Sequence, residues 1–383
     1  MGVSRKLRMG MVGGGPGSFI GPVHRMAAEL DGEIEIVAGA FSHSPEKCRE
    51  AGERFKIAPE RSYTAFKEMV KAERQRTDGM DFVVIATPNS LHLPIAVDAL
   101  EAGFAVMSDK PATATYAEAL ELEKAVAKSG VPYGVTYTYA GYAMVREAQS
   151  ICARGELGQI RKIAVEYLQG WLSNLLEATG QKQAAWRSDP KQNGPGGCIA
   201  DIGVHAFHLV EYVTRLRVTS LNAVLRTVVP GRQLDDDCTA LLRMDNGASG
   251  VLMASQVAAG EGNGLRLRVY GEKGSIDWRQ EDPNRLHLRW AKGAEEIRTA
   301  GSGTEYLSKE ARSVLRLPGG HPEGYLEAFG VLYREFAEEL RAWKSGQTKA
   351  LKETLPGIED GVRGMRFIER ALESSGRESW IDF

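Results

Sequence analysis

The chain has 383 residues, 43% of them hydrophobic and 26% charged, with a formal net charge of -2. At ~100–200 residues per domain this length implies two domains, and the near-neutral charge argues against nucleic acid or an anionic membrane as a partner. No apolar run reaches the ~18–20 residues of a membrane span. The short basic start, Met1 to Arg8, passes straight into Met9-Gly10-Met11-Val12 and a run of glycines, so it reads as a strand entering a loop and not as a signal peptide. Cys48, Cys152, Cys198 and Cys238 are scattered without a CxxC pair, which fits a reduced, cytoplasmic setting.

Residues 1–136 alternate short apolar runs with helical patterns. Strands are expected at Lys6 to Val12, Ile34 to Phe41, Phe82 to Ala86, Ala105 to Ser108 and Val131 to Thr136. Helices are expected at His24 to Leu30, Pro45 to Phe55, Leu93 to Ala102 and Tyr116 to Ser129, the last two stopped by Gly103 and Gly130. Strands alternating with crossover helices imply a parallel sheet wound on both faces.

The pattern changes in the second domain, residues 137–383. From Ile160 to Asp277 the apolar runs alternate with period two, at Lys162 to Tyr167, Leu241 to Met244, Gly250 to Val257 and Leu265 to Tyr270. Asp245-Asn246-Gly247 between two such runs is a hairpin signal. The expected architecture is a large, mostly antiparallel open sheet with helices on one face. Residues 291–321, rich in Gly, Ser and charge, read as an exposed loop. Pro322 to Lys344 reads as a helix with Leu326, Phe329, Leu332, Tyr333 and Phe336 on one side, and Gly357 to Ser375 as a final helix. A sheet face left uncovered by helices predicts a homodimer or homotetramer.

Gly13-Gly14-Gly15-Pro16-Gly17-Ser18-Phe19-Ile20-Gly21 follows the first strand and opens a helix. In that position glycines let the backbone approach a pyrophosphate at a helix N-terminus. Gly13, Gly15, Gly17, Ser18, Phe19 and Ile20 are therefore candidate NAD(P) contacts in a Rossmann domain. The loop is about three residues longer than the compact fingerprint. The second strand ends in Ala40-Phe41-Ser42-His43-Ser44, with no acid to grip a ribose 2′-hydroxyl. Ser42 and His43, with Lys47 and Arg49 nearby, tolerate a 2′-phosphate, a mild lean towards NADP that does not exclude NAD.

The segment Gly196 to His208 places Asp201, His205 and His208 at spacings of four and three, on one face of a helix. A carboxylate four residues before an imidazole can orient it and raise its basicity for proton transfer. Asp201 could alternatively cap a helix beginning near Ile202, and His208 could simply pack. Asp201, His205, His208 and Glu211 form a conceivable metal face, but the glycine loop already supplies a redox partner and no cysteine or histidine cluster completes a site, so no metal is expected. Lys110 ends a buried parallel strand, where ligands bind in such sheets. Trp186 and Arg187 suit a sugar pocket, since aromatic faces pack on sugars and guanidinium forks bind hydroxyls. Tyr137, Tyr139 and Tyr142 lie where the chain leaves the first domain, and His321 could reach a substrate from a loop.

Three motifs in this order resemble the Gfo/Idh/MocA family of nicotinamide-dependent sugar and polyol oxidoreductases: the glycine loop with Gly21-x-x-His24, Asp109-Lys110-Pro111, and Asp201-x-Gly203-x-His205. The resemblance extends to Ala86-Thr87-Pro88-Asn89-x-x-His92 and Trp186-Arg187. It implies that Thr87, Pro88, Asn89, His92, Lys110 and Trp186 lie at the cofactor. It implies that Lys110, Asp201 and His205 meet the substrate, and His208 fits its pattern; Tyr139, Trp186, Arg187 and His321 join them as substrate candidates on their own chemistry and placement. Lys110, Asp201 and His205 are then catalytic, with His205 as the usual acid/base. The family has Glu-Lys-Pro where this chain has Asp109-Lys110-Pro111. The implied reaction is oxidation of a secondary ring hydroxyl of a sugar, glycoside or cyclitol to a ketone. Two alternatives stand beside it: a glycoside hydrolase that keeps NAD bound and works by transient oxidation and elimination, and a non-catalytic nucleotide-sensing protein.

Overall fold

A computed structural model describes residues 5–347 and 355–383; the first four residues of the basic start lie outside the described residues. The chain forms two compact units. One comprises Met1–Tyr137 and Phe329–Val362, the other Thr138–Ala328 and Arg363–Phe383.

In the first unit, β1 (Leu7–Gly13), β2 (Ile34–Ala40), β3 (Phe82–Ala86), β4 (Ala105–Ser108) and β5 (Tyr133–Val135) make a parallel sheet ordered β2-β1-β3-β4-β5. β3 is buried at every position, as a strand covered on both faces must be, which is why it reads as an unbroken apolar run. The helices begin where the sequence offers caps. Ser44 caps Pro45–Phe55, and Thr115 and Glu118 form a capping box on Tyr116–Ser129.

The helix Phe66–Gln75, which the sequence reading passed over, buries Met69 and Val70 and sets Glu73 against Arg61, whose Nε donates to Glu73 Oε1 at 3.0 Å. The unit takes in, besides the N-terminal segment, Phe329–Val362. From Phe329 onwards the helix Tyr325–Lys344 belongs to it, with Phe336 edge-on to Phe82 at 5.2 Å. Phe329, Leu332, Tyr333 and Phe336 of its apolar stripe are therefore first-unit core, whereas Leu326 falls in the second unit and is only half-buried.

The second unit holds a nine-stranded sheet: β6 (Ile160–Leu168), β7 (Val218–Arg226), β8 (Asp237–Met244), β9 (Ser249–Ser255), β10 (Gly264–Gly271), β11 (Gly274–Arg279), β12 (Arg285–Trp290), β13 (Glu295–Thr299) and β14 (Ile381–Asp382). Its order is β13-β12-β11-β10-β6-β9-β8-β7-β14, and every neighbouring pair is antiparallel except β6 and β9. The expected hairpin joins β8 to β9, with Asn246 Oδ1 accepting from the Ala248 N–H at 2.9 Å.

The expectation of a loop over 291–321 is corrected: β13 and a helical turn, Lys309–Arg312, lie there. Glu295-Glu296-Ile297-Arg298-Thr299 is the charged sequence of an edge strand, which carries little apolar alternation to read. β10 shows the alternation clearly, burying Leu265, Leu267 and Val269. Its other face carries Arg266, which pairs with Asp277 at 2.6 Å, and Arg268, 3.4 Å from Glu166. The helix Val204–Thr214 is buried almost throughout, and its Phe207 stacks on Phe367 at 4.4 Å.

Candidate active site

The carboxyl ends of β1, β3 and β4 carry the first group of site residues. The order of the sheet reverses between β1 and β3, the position where open α/β sheets bind ligands. There the Gly14 N–H donates to Ala86 O at 3.2 Å, closing the glycine loop onto the end of β3. Gly13 has φ +85°, and a Cβ on it would stand 2.3 Å from Ala86 O, so only glycine fits. The helix Ile20–Glu29 that follows has no acid in its first turn and no side-chain cap from Phe19. Ser18 Oγ accepts the Gly21 N–H at 3.2 Å, and Phe19 stands 61% exposed. A positive helix end without a carboxylate suits a pyrophosphate, so the residues present fit a dinucleotide. At the end of β2, Ser42 Oγ accepts from the Ser44 N–H at 3.2 Å, and His43 is exposed.

His92, expected at the cofactor, is buried with its two ring nitrogens facing two backbone carbonyls. Nδ1 lies 2.8 Å from Pro111 O and Nε2 3.0 Å from Thr87 O. His92 thus clamps the Thr87-Pro88-Asn89 loop against Pro111. Asp109 fastens the same region. Its Oδ1 accepts from the Lys110 N–H and from Thr136 Oγ1, each at 2.9 Å. Its Oδ2 lies 4.0 Å from His24 Nε2, and His24 Nδ1 lies 2.6 Å from the Tyr333 hydroxyl. Burial pushes the His24 pKa down to about 4, so this histidine is neutral. Lys110 itself is half-buried.

The second unit carries the other group. Residues Ile199–Gly203 form a single π-helical turn that runs into Val204–Thr214, a local geometry enriched at functional sites. Asp201 lies within that turn and is not an N-cap; its carboxylate is held by other elements. Gln256 Nε2 donates to Asp201 Oδ2 at 2.8 Å, and Arg187 Nε stands 3.3 Å from the same oxygen. The Arg187 guanidinium lies over the Trp186 ring at 4.2 Å and donates to Gln183 Oε1 at 2.7 Å.

His205 is 8% exposed and meets Tyr139 edge-to-face at 4.9 Å, with Tyr167 at 6.3 Å. The hydroxyls of Tyr139 and Tyr167 are hydrogen-bonded, and Tyr167 donates onward to Asn263 Oδ1 at 2.8 Å. Burial pushes both phenol pKa values up, so both stay protonated.

The fold thus brings Trp186, Arg187 and Asp201 into one contact network and sets Tyr139 on His205. His208 is buried against Tyr212, rings stacked at 5.5 Å, and burial pushes its pKa down to about 3. His321 is exposed, its N–H donating to Pro318 O at 3.2 Å, and it makes no hydrogen bond, ion pair or ring contact with Asp201 or His205. The sequence reading missed Gln256, Tyr167 and Asn263 here, and Thr136 and Tyr333 in the first unit. Tyr333 had been visible only as part of an apolar helix stripe. Among the described residues no cluster of histidine, cysteine and acid side chains is arranged to hold a metal ion.

A dinucleotide-type glycine loop on a parallel sheet, a lysine at the end of β4 and an Asp–His helix on an open antiparallel sheet define a two-unit nicotinamide oxidoreductase. Residues 7–137 match the oxidoreductase family with an NAD-binding Rossmann fold, and residues 145–277 match the Gfo/Idh/MocA C-terminal domain. The chain belongs to the Gfo/Idh/MocA family of oxidoreductases.

It is 32% identical to the Bacillus subtilis oxidoreductase YfiI, over 100% of this chain and 98% of that one. It is 27% identical to the levoglucosan dehydrogenase of Pseudarthrobacter phenanthrenivorans, over 99% and 98%. An inositol dehydrogenase homolog from Azotobacter vinelandii, solved with NADH and myo-inositol, superposes with a TM-score of 0.92 at 35% identity, covering 99% and 98%. The lean towards NADP read from Ser42 and His43 has no support here, since the solved relative holds NADH.

Proposed function

We propose that this protein is an NAD-dependent dehydrogenase that oxidises a secondary ring hydroxyl of a cyclitol or sugar, inositol-like substrates first, to a ketone. The observation that carries the reading is the placement of a braced carboxylate, Asp201, and a buried imidazole, His205, on one short helical segment. The nicotinamide cofactor, when bound, accepts the hydride. The glycine loop of Gly13, Gly15, Gly17, Ser18, Phe19 and Ile20 would hold its pyrophosphate, with Thr87, Pro88 and Asn89 beside it.

Loss of hydride from carbon requires loss of a proton from the hydroxyl oxygen. His205 takes that proton, and the Lys110 ammonium stabilises the developing alkoxide. Asp201 orients the hydroxyl and the imidazole. Tyr139, Trp186 and Arg187 form the wall against the ring, since an aromatic face covers C–H groups while the guanidinium fork meets hydroxyls. Neutral, buried His208 serves as a wall, and His321 has a part only if its exposed turn moves.

The open sheet face supports a homodimer or tetramer: Val224 and Leu241 stand 54% and 48% exposed on it. Light scattering giving a monomer mass would refute that assembly. Among the described residues no helix is long and apolar enough to cross a membrane. The four cysteines are unbridged, which supports a reducing cytoplasm as the protein's compartment.

The deciding experiment follows absorbance at 340 nm with NAD or NADP against inositols, aldoses, anhydrosugars and glycosides, with a parallel assay for released aglycone. Growth of absorbance with NAD and one cyclitol or sugar is the expected result. Aglycone release without net absorbance change would replace it with the redox-cycling hydrolase. Nucleotide binding without turnover of any compound would leave a sensing protein.

A further inference from the structure

The segment that carries Asp201 and His205 is anchored at its start by one residue far away in the chain. Asp235, just before β8, collects three successive backbone N–H groups. The Gly197 N–H donates to Asp235 Oδ1 at 2.6 Å, the Ile199 N–H to Oδ2 at 2.8 Å, and the Cys198 N–H to the Asp235 backbone oxygen at 2.7 Å. These are N–H groups at the opening of the π turn, which that turn cannot satisfy internally, and Cys198 gives them no side-chain cap. Asp235 does the work of an N-cap from the segment that leads into β8.

The contact is closed to any residue but glycine at position 197, where a Cβ would stand 2.1 Å from Asp235 O. The next residue along completes the frame: Asp236 O accepts the Gln256 N–H at 2.9 Å, and Gln256 is the side chain that holds Asp201. Asp235 is 9% exposed, so its side chain is largely withdrawn from bulk water.

We propose that Asp235 is a positioning residue for the hydride-transfer reaction, capping the π turn from outside and so setting where Asp201 and His205 point. The inference rests on the reading of Asp201 and His205 given above. A misplaced catalytic group costs rate more than affinity, since small displacements cost large factors in turnover. A packing residue would lower stability, nucleotide affinity and turnover together.

The test is Asp235→Asn, which keeps the shape but replaces one acceptor by an N–H₂ that opposes a backbone donor. Backbone hydrogen exchange over residues 196–208, affinity for NADH by fluorescence, and kcat and KM for the best compound of the 340 nm panel would be measured on the whole chain. Expected are exchange at 197–201 at least ~10-fold faster, kcat lower by ~10–100-fold, KM changed less than ~3-fold and NADH affinity unchanged. Unaltered kcat, or unaltered exchange, overturns the proposal; so does a joint fall of kcat, substrate affinity and NADH affinity.

If that variant does not fold, Gly197→Ala breaks the same contact from the other side and is read by the same criteria. Rapid exchange of the 197–199 amides in the unaltered protein would overturn the cap without any variant. If no compound in the panel is oxidised, the proposed reaction fails, whereas the exchange data still decide whether Asp235 holds the segment.

Discussion

His92 joins two loops by its two ring nitrogens, Nε2 at 3.0 Å from Thr87 O and Nδ1 at 2.8 Å from Pro111 O. It thereby ties the end of β3 to the peptide beside Lys110. Burial lowers the His92 pKa, so the neutral ring donates to one of the two carbonyls at a time, and replacing it by leucine leaves that oxygen without a side-chain partner in a buried place. A buried polar group left unpaired costs ~1–3 kcal/mol. His92→Leu is expected to lower the melting temperature and weaken NADH binding together, measured by thermal denaturation and fluorescence titration. Normal stability with normal NADH affinity would show the clamp to be dispensable.

His205→Ala is expected to lower turnover by ~10²–10⁴-fold with NADH affinity nearly intact, the usual range for loss of a general base. The ring is buried between tyrosines, so the variant also leaves a small cavity, and a modest fall in melting temperature accompanies it. Turnover within ~10-fold of the parent would remove His205 from the chemistry.

Gln256 was invisible as a site residue, yet its Nε2 supplies a hydrogen bond to Asp201. Bonds to charged groups are worth ~1.5–3 kcal/mol. Gln256→Leu is therefore expected to cut kcat/KM by ~10–100-fold, while Arg187 still faces the carboxylate at 3.3 Å. Adding Arg187→Met in the same chain tests whether the two braces are coupled. Losses that multiply independently would mean that Gln256 and Arg187 do not share Asp201.

What the sequence made legible follows physical periodicity. β3, β4 and the helix Tyr116–Ser129 fall on the residues expected, because a strand covered on both faces is a bare apolar run and a helix bounded by Thr115 and Gly130 announces its ends. β13 escaped because edge strands are polar, and the helix Ala143–Ala153 because Arg146 and Glu147 interrupt its apolar face although both are buried. The final position of Tyr325–Lys344 was hidden since a stripe says that a helix is covered and not by what. The motif residues Lys110, Asp201 and His205 stood out by spacing. Their supports, Asp109 apart, come from positions far along the chain: Gln256, Asp235, Thr136 and Tyr333. A contact between sequence-distant side chains leaves no local pattern, so no periodicity argument finds it.

Asp81 supplies a pH-dependent part of the stability of the first unit. Burial alone would raise its pKa, but the Arg5 guanidinium at 2.6 and 2.8 Å, the Lys344 ammonium and the Arg8 N–H at 2.8 Å hold it at about 2, below the ordinary 3.8. The folded value lies below the unfolded one, so this stabilisation is complete above pH ~4 and is lost as pH falls through about 2. After allowance for the half-exposed Arg5, it amounts to about 1–2 kcal/mol. Asp81→Asn is expected to lower the urea midpoint by a corresponding amount at pH 7. The gap should persist at pH 5 and narrow steadily below pH 4, as the parent loses the ionised carboxylate that the variant already lacks. A gap of undiminished size at pH 3 would mean that the asparagine acts through altered packing or hydrogen bonding, and that the ion pairs of Arg5 and Lys344 with Asp81 add nothing to the stability of the fold.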